Sequence, residues 1–437
     1  MAFLQDKLVE RNRSRENFGE YCGLVRVAQL RRGSDVSVVS CDFPFLARSP
    51  LTPTPKRLLL VGGGHAHLFV LEALCKQSAD VRARLDVTLL SRELDTPYSG
   101  MLPGLVAGHY RTMECHVDLR ALTAAAGVRL VQATVERLDL TSNRAYTDEG
   151  IWEFDLVSLD VGSTPPVDGI PGAAGTGLAV KPIDHFLQQW NALQSRIDQL
   201  VRPVHMVMVG GGAGGVELVL AMSYRLRAHH DRVKWSLVSR GELLPGYPRR
   251  AARLMAARLT AAGVAIRTGS AIARVEADHL VFADGSIAAC DQVLWATGSA
   301  AQQWPSAAGL ACVDEGFISI NSYLQSVSHP QVFAAGDMAT DIAQRRPKAG
   351  VFAVRQGPLL AENLLRHASG QPLRPYRAQR HYLSLLSGGG QHAVASWYGL
   401  VWQGGWVWQW KNRIDRRFMQ RFSRPFESNG KNPPPGR

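Results

Sequence analysis

From Lys56 onward the chain alternates short unbroken apolar runs with glycine clusters and helix-like stretches. Arg57-Leu58-Leu59-Leu60-Val61 has the continuous hydrophobicity of a strand covered on both faces. Glycines follow at 62–64, His67–Lys76 predicts a helix, and Val87-Thr88-Leu89-Leu90 a second buried strand. The same succession returns at Val204-His205-Met206-Val207-Met208-Val209. A glycine cluster, a predicted helix over Val216–Ala228 and a strand at Lys234-Trp235-Ser236-Leu237-Val238 come after it. Two such βαβ openings predict a duplicated architecture rather than two halves of one sheet. Further buried strands are expected at Val293-Leu294-Trp295, leading into Ala296-Thr297-Gly298, and at Val332-Phe333-Ala334-Ala335, leading into Gly336-Asp337.

This pattern divides the chain. Residues 1–55 predict an extension: Ser49–Pro55 is a stiff Pro/Thr tract, preceded only by the β-like run Val36-Ser37-Val38-Val39. Residues 56–185 and 299–367 are expected to form one domain split in sequence, 186–298 an inserted domain, and 368–437 a small terminal module. The expected fold class is α/β, with two Rossmann-like dinucleotide-binding domains.

Composition narrows the chemistry. With 46% hydrophobic and 20% charged residues the chain is globular, and no apolar run reaches the length of a membrane-spanning helix. The first residues mix acidic and basic side chains, fitting neither a secretory signal nor an acid-poor transit peptide, so a cytoplasmic location is expected. None of the six cysteines forms a close pair, which argues against a redox dithiol and a cysteine-ligated metal. No metal site is expected, and redox chemistry would need a bound cofactor. The net charge of +12 is mostly scattered and accompanies no nucleic-acid-binding motif, so nucleic acid is not an expected partner.

The first glycine loop, Gly62-Gly63-Gly64-His65-Ala66-His67, supplies the first two glycines of GxGxxG at Gly62 and Gly64, with His67 third. Gly62 permits the tight turn, and Gly64 lets backbone approach a pyrophosphate at a helix N-terminus. The second loop has all three, at Gly210, Gly212 and Gly215. Two loops, each between a buried strand and a helix, indicate two dinucleotides.

Loop, loop, ATG and GD, in this order, resemble the pyridine-nucleotide-dependent flavoprotein superfamily. The stretches VGGGHAHLFVLEAL, DTPYSGMLPGLVAGHY, KAGVFAVRQGP and WVWQWKNRIDRRFM narrow the resemblance to type II NADH dehydrogenases. It is narrower still to related flavoproteins found alone or fused ahead of selenide, water dikinase, and it spans residues 57–422. The resemblance implies FAD held by Gly62, Gly64, Gly336 and Asp337, with Pro97 to Pro103 near the flavin. His65 and His67 would be packing or flavin contacts, and Gly298 would end the segment returning to the flavin domain. Gly210, Gly212, Gly215 and Glu217 would line a site for NADH or NADPH. Lys348, Ala349 and Gly350 would lie under the flavin pyrimidine edge, where Lys348 and the helix dipole favour negative charge. Lys348 and Glu217 are the catalytic candidates. The implied activity is hydride transfer from a nicotinamide dinucleotide to FAD, then electron transfer to an acceptor, with quinone a candidate. An alternative is a flavin-bound partner protein of selenium metabolism with little turnover.

The chain departs from the pattern in places. Where dinucleotide folds carry a ribose-binding acid, it has Ser91-Arg92 and Ser239-Arg240. An arginine replacing an acid suits a 2′-phosphate, which leans the nucleotide toward NADPH. Val351 and Arg355 stand where type II dehydrogenases carry a glutamine pair beside quinone, with only Gln356 adjacent, which weakens the quinone expectation. Cys290 and Cys312 flank the ATG segment, but nothing in the sequence brings them together for sulfide chemistry.

Residues 382–410 carry no Asp, Glu, Lys or Arg, and five of the ten tryptophans fall between Trp397 and Trp410. Trp406-Val407-Trp408-Gln409-Trp410 alternates like a strand. The stretch 411–422 places Ile414, Phe418 and Phe422 among arginines, as in a helix resting on anionic lipid at the inner membrane face. A core-capping or homodimer-forming element is the other reading of residues 397–422.

Overall fold

The computed structural model of the chain describes residues 54–164, 169–173, 176–199, 202–379 and 381–423. The expected extension, with its run Val36–Val39, lies outside the described residues apart from its last two positions.

Two five-stranded parallel sheets carry the described chain. In the first, the order is Val332–Ala334, Leu156–Leu159, Lys56–Val61, Leu85–Ser91 and Arg129–Gln132. In the second it is Leu178–Ala179, Gln292–Trp295, Val204–Val209, Val233–Val238 and Val264–Arg267. The two topologies match strand for strand after the first. Each unit also carries a three-stranded antiparallel meander, at 135–153 and at 272–289, just before the strands Leu156–Leu159 and Gln292–Trp295 respectively. Continuous apolar strands suit sheets covered on both faces, and the successive Leu58 and Leu59, and Met206 and Val207, are buried accordingly. The fold is α/β as the pattern of apolar runs required. The second sheet begins with Leu178–Ala179, before residue 186, and the helix Ile183–Arg196 sends Phe186 and Trp190 into its core.

The helix His65–Cys75 crosses the long helix Gly350–Ala368 closely because Gly357 lacks a side chain. A Cβ there would stand 2.4 Å from Phe69 Cδ2. The segment 98–106 joins the two units: Met101 packs in the first core, Leu102 and Val106 in the second.

The C-terminal module is a three-stranded antiparallel sheet, Ser384–Ser387, Ala393–Trp397 and Leu400–Gly404, followed by the helix Gly405–Ser423. Residues 406–410 are therefore helical, not a strand. Trp406 and Trp410, one turn apart, stack at 6.4 Å with their planes 9° apart. The inward face is Val407, Lys411, Asp415, Met419 and Phe422, whereas Ile414 faces solvent. A buried ion pair sits on that face, so an apolar period alone misplaces it: Lys411 Nζ lies 2.6 Å from Asp415 Oδ2. Arg416 pairs with Glu114 at 2.8 Å and Arg421 with Glu72 at 2.6 Å, fixing the helix across the first unit.

Candidate dinucleotide sites

The first glycine loop leaves the strand Lys56–Val61 with Gly62 at φ +93°. A Cβ on Gly62 would meet the Asp160 carbonyl oxygen at 2.5 Å, so glycine is required there twice over, by conformation and by space. Gly64 is the N-cap of the helix His65–Cys75 and brings no capping side chain. The cap comes from a distant strand end. Asp160 Oδ2 accepts the Ala66 N–H at 2.7 Å and the His67 N–H at 3.3 Å. Gly336, at φ +69°, approaches the same carboxyl from the other side: a Cβ there would lie 2.6 Å from Asp160 Oδ1. The next residue, Asp337, is held by Lys181 Nζ at 2.9 Å, which also donates to Ser163 Oγ at 3.1 Å. Gly62, Gly64, Gly336 and Asp337 thus converge on one place.

His67 does not face a ligand. Its Nδ1 lies 2.6 Å from Gly62 O and its Nε2 2.9 Å from Ser158 Oγ, and burial pushes its pKa down to about 4. It braces the loop as a neutral imidazole, which corrects the expected cofactor contact. His65 is different: its buried Nε2 has no hydrogen-bond partner among the described residues, and Tyr98 and Phe418 stand edge-on at 5.5 and 6.1 Å. Gly350 adjoins it, since a Cβ there would lie 4.0 Å from His65 Nδ1. Ala349 is the N-cap of Gly350–Ala368 and offers no side-chain cap, so this helix N-terminus keeps backbone donors available. Lys348 folds back, donating to Ala339 O at 2.6 Å and Thr340 Oγ1 at 2.8 Å over the Phe317 ring, and burial brings its pKa down to about 8. Gly336, Asp337, Lys348 and Ala349 line one cleft. Pro103 is buried in the short helix Leu102–Val106. Ser91 is buried and donates to Glu93 O at 2.6 Å, while Arg92 is exposed and pairs with Glu93.

The second loop repeats the first. Gly210, at φ +132°, would place a Cβ 2.2 Å from Ala296 O, and one on Gly215 would meet Gly210 O at 2.0 Å. Gly212, the N-cap of Ala213–Arg225, faces open space, and no side chain caps that helix. Ala296-Thr297-Gly298 crosses beneath this loop, and two residues past Gly298 the chain bridges back to the first unit, Ala300 pairing with Thr164. Ser239 is buried and bonded through its backbone to Arg267 O at 2.8 Å, and Arg240 projects outward. Glu217 lies on the loop's helix, but Oε1 accepts the Ser387 N–H at 2.7 Å, tying it to the C-terminal sheet, and burial raises its pKa.

Sequence reasoning missed Asp160, Ser163, Lys181 and the Lys411–Asp415 pair. One signal was available for the first two. Asp160-Val161-Gly162-Ser163 follows a buried strand just as Ala296-Thr297-Gly298-Ser299 does. The thiols add nothing to the site: Cys290 packs in the core of the second unit and Cys312 against that of the first, and burial raises both pKa values. Among the described residues no cluster of His, Cys, Asp and Glu has metal-binding geometry.

Residues 56–357 match the family described as Pyridine nucleotide-disulphide oxidoreductase. The demethylphylloquinone reductase NdbB of Synechocystis is 25% identical over 81% of this chain and 90% of its own length. The type II NADH:quinone oxidoreductase of Staphylococcus saprophyticus is 22% identical over 74% of this chain and 85% of its own. Among solved structures, the sulfide:quinone oxidoreductase of Aquifex aeolicus superposes with a TM-score of 0.70 at 17% identity, covering 84% of this chain and 91% of that one.

Proposed function

Because the chain belongs to the pyridine nucleotide-disulphide oxidoreductase family and is an FAD-dependent NAD(P)H oxidoreductase, we propose that it passes the electrons on to a quinone at a membrane surface. The observation that carries the dehydrogenase half is the convergence of Gly62, Gly64, Gly336 and Asp337, matched by a second open loop at Gly210–Gly215. The bound flavin supplies the hydride-accepting ring and the nicotinamide the hydride. This chain's residues supply position and charge. The first loop and the Lys181–Asp337 pair would hold the diphosphate and ribityl portions of FAD. Ala349, Gly350 and the helix behind them would present N–H groups to the pyrimidine edge, with Lys348 adding positive charge nearby. Gly210, Gly212 and Gly215 would seat the nicotinamide dinucleotide, with Arg240 placed to meet a 2′-phosphate.

Quinone as acceptor rests on relatives named for quinone reduction and on the outer face of the C-terminal module. Trp397, Tyr398, Leu400, Trp406 and Ile414 are exposed, by 46%, 65%, 61%, 55% and 39% respectively. Arg413 and Arg417 stand on the same outer side of the helix. Tryptophans and arginines around aliphatic side chains suit an interfacial contact with anionic lipid. No helix among the described residues is long and apolar enough to cross a membrane.

Anaerobic stopped-flow absorbance of the yellow protein tests the reading. Mixing with NADH or NADPH should bleach the flavin band rapidly, and a soluble naphthoquinone should restore it. A flavin that neither nucleotide reduces would reject the dehydrogenase and favour a flavin-bound partner with little turnover. Reduction without reoxidation by quinone would reject only the acceptor.

A further inference from the structure

The two glycine loops are built alike, but only one has a carboxylate in its anion-binding turn. Asp160 N donates to Val61 O at 2.9 Å, and Ala296 N to Val209 O at 2.9 Å. The Asp160 carbonyl lies under Gly62 as the Ala296 carbonyl lies under Gly210. Asp160 and Ala296 therefore occupy the same place in the two units. Where Ala296 leaves the turn before Ala213–Arg225 open, Asp160 fills the turn before His65–Cys75, holding the Ala66 and His67 N–H groups. Those first-turn donors are what a helix N-terminus offers to a phosphate.

We infer that Asp160 competes with the FAD diphosphate for the first turn of the His65–Cys75 helix, so that FAD binds with uptake of one proton by the Asp160 carboxyl. The carboxyl is 3% exposed and enclosed by the cofactor glycines: a Cβ on Gly64 would lie 2.3 Å from its Cγ, and one on Gly336 2.6 Å from Oδ1. It lies against the same backbone that a diphosphate would approach. The charged and titratable groups around it do not neutralise it. Asp337 of the Gly336-Asp337 turn adds repulsion, Lys181 is bonded to Asp337, and on the helix His65 and His67 are kept neutral by burial. Burial already pushes the Asp160 carboxyl up to about 7, and an adjoining diphosphate can only raise it further. Once protonated, the same group donates a hydrogen bond to a phosphate oxygen instead of repelling it. The balance is simple: one proton passes from solvent to a carboxylate oxygen on binding and returns when FAD leaves.

The test follows flavin fluorescence on dilution of the holoprotein, with rebinding of FAD, between about pH 6 and 9. For the natural protein the dissociation constant should rise about tenfold per pH unit above about pH 7. D160N keeps the acceptor oxygen without the charge, and should bind FAD tightly with no pH slope. Calorimetric titration at about pH 8.5, in buffers of different ionisation enthalpy, should count about one proton taken up per FAD in the natural protein. A dissociation constant flat across this range, a slope retained in D160N, or a proton count of zero would each overturn the inference. The proton count needs no variant, so it decides even where D160N does not fold.

Discussion

The first unit closes its own phosphate-binding turn and the second leaves it open, although their backbones are copies. At the first loop, Asp160 caps the helix and the C-terminal helix covers the neighbouring segment. Tyr98 stacks on Phe418 at 4.3 Å, and Lys411 donates to Gly100 O at 2.6 Å. At the second loop, Gly212 faces open space and nothing caps the turn. The difference suits the two roles proposed for these loops. A resident cofactor is held in an enclosed, partly self-satisfied site, whereas a nicotinamide dinucleotide that enters and leaves each cycle needs donors available and access unobstructed.

The strongest way to break this comparison is to block each turn in its own unit. Gly210→Val would force a Cβ to within 2.2 Å of Ala296 O at φ +132°. We expect flavin reduction by NAD(P)H to slow more than about 100-fold with the flavin band intact. Gly62→Val should instead yield protein without flavin. Loss of flavin from both variants would show that the loops are not independent.

Next comes the cover over the first unit. Lys411→Met leaves Asp415, 4% exposed, without its cation. A buried carboxylate so orphaned costs about 3 kcal/mol, read as a lower melting temperature and faster FAD release. Burial already raises the Asp415 pKa, and losing Lys411 raises it further, so the folded state of the variant binds this proton more tightly than the unfolded chain. Stability then falls as pH rises from the unfolded carboxyl pKa toward the folded one, and the defect should be smaller near pH 5 than near pH 8. Removing the charge as well, in Lys411→Met with Asp415→Leu, should recover most of the loss.

A smaller effect is expected from moving the competitor. Ala296→Asp places a carboxylate at the second turn and should raise KM for NAD(P)H about tenfold or more at pH 8, with less change at pH 6. FAD content should not change. An unaltered KM would mean that the nucleotide does not use this turn. The smallest change is Arg240→Ala, expected to lower kcat/KM for NADPH about tenfold and for NADH less than twofold. Equal losses for both nucleotides would remove Arg240 from 2′-phosphate recognition.

The C-terminal helix shows how far a hydrophobic period can be trusted. Of the predicted apolar stripe only Ile414 is left outside, whereas Phe418 and Phe422 turn inward beside Lys411 and Asp415, which satisfy each other there. A period-based reading has no means of seeing that two charges four residues apart will be buried together. Similarly, Ser91-Arg92 suggested a missing acid at the first strand end, while the structure places Glu93 directly beyond it, paired with Arg92.

By itself the sequence determined the duplicated α/β architecture, because buried parallel strands need unbroken apolar runs and tight strand–helix turns need glycine at positive φ. Gly62, Gly210 and Gly336 meet that demand. It also pointed to two dinucleotide sites and to the loops proposed to make them. Only the tertiary structure decided what fills those loops. Asp160 lies nearly a hundred residues from the helix it caps and Lys181 far from the Asp337 it holds, and neither contact has a local signature. Long-range closure is set by how strands stack in the sheet and where their ends meet, and that register is not written in the spacing of any one segment.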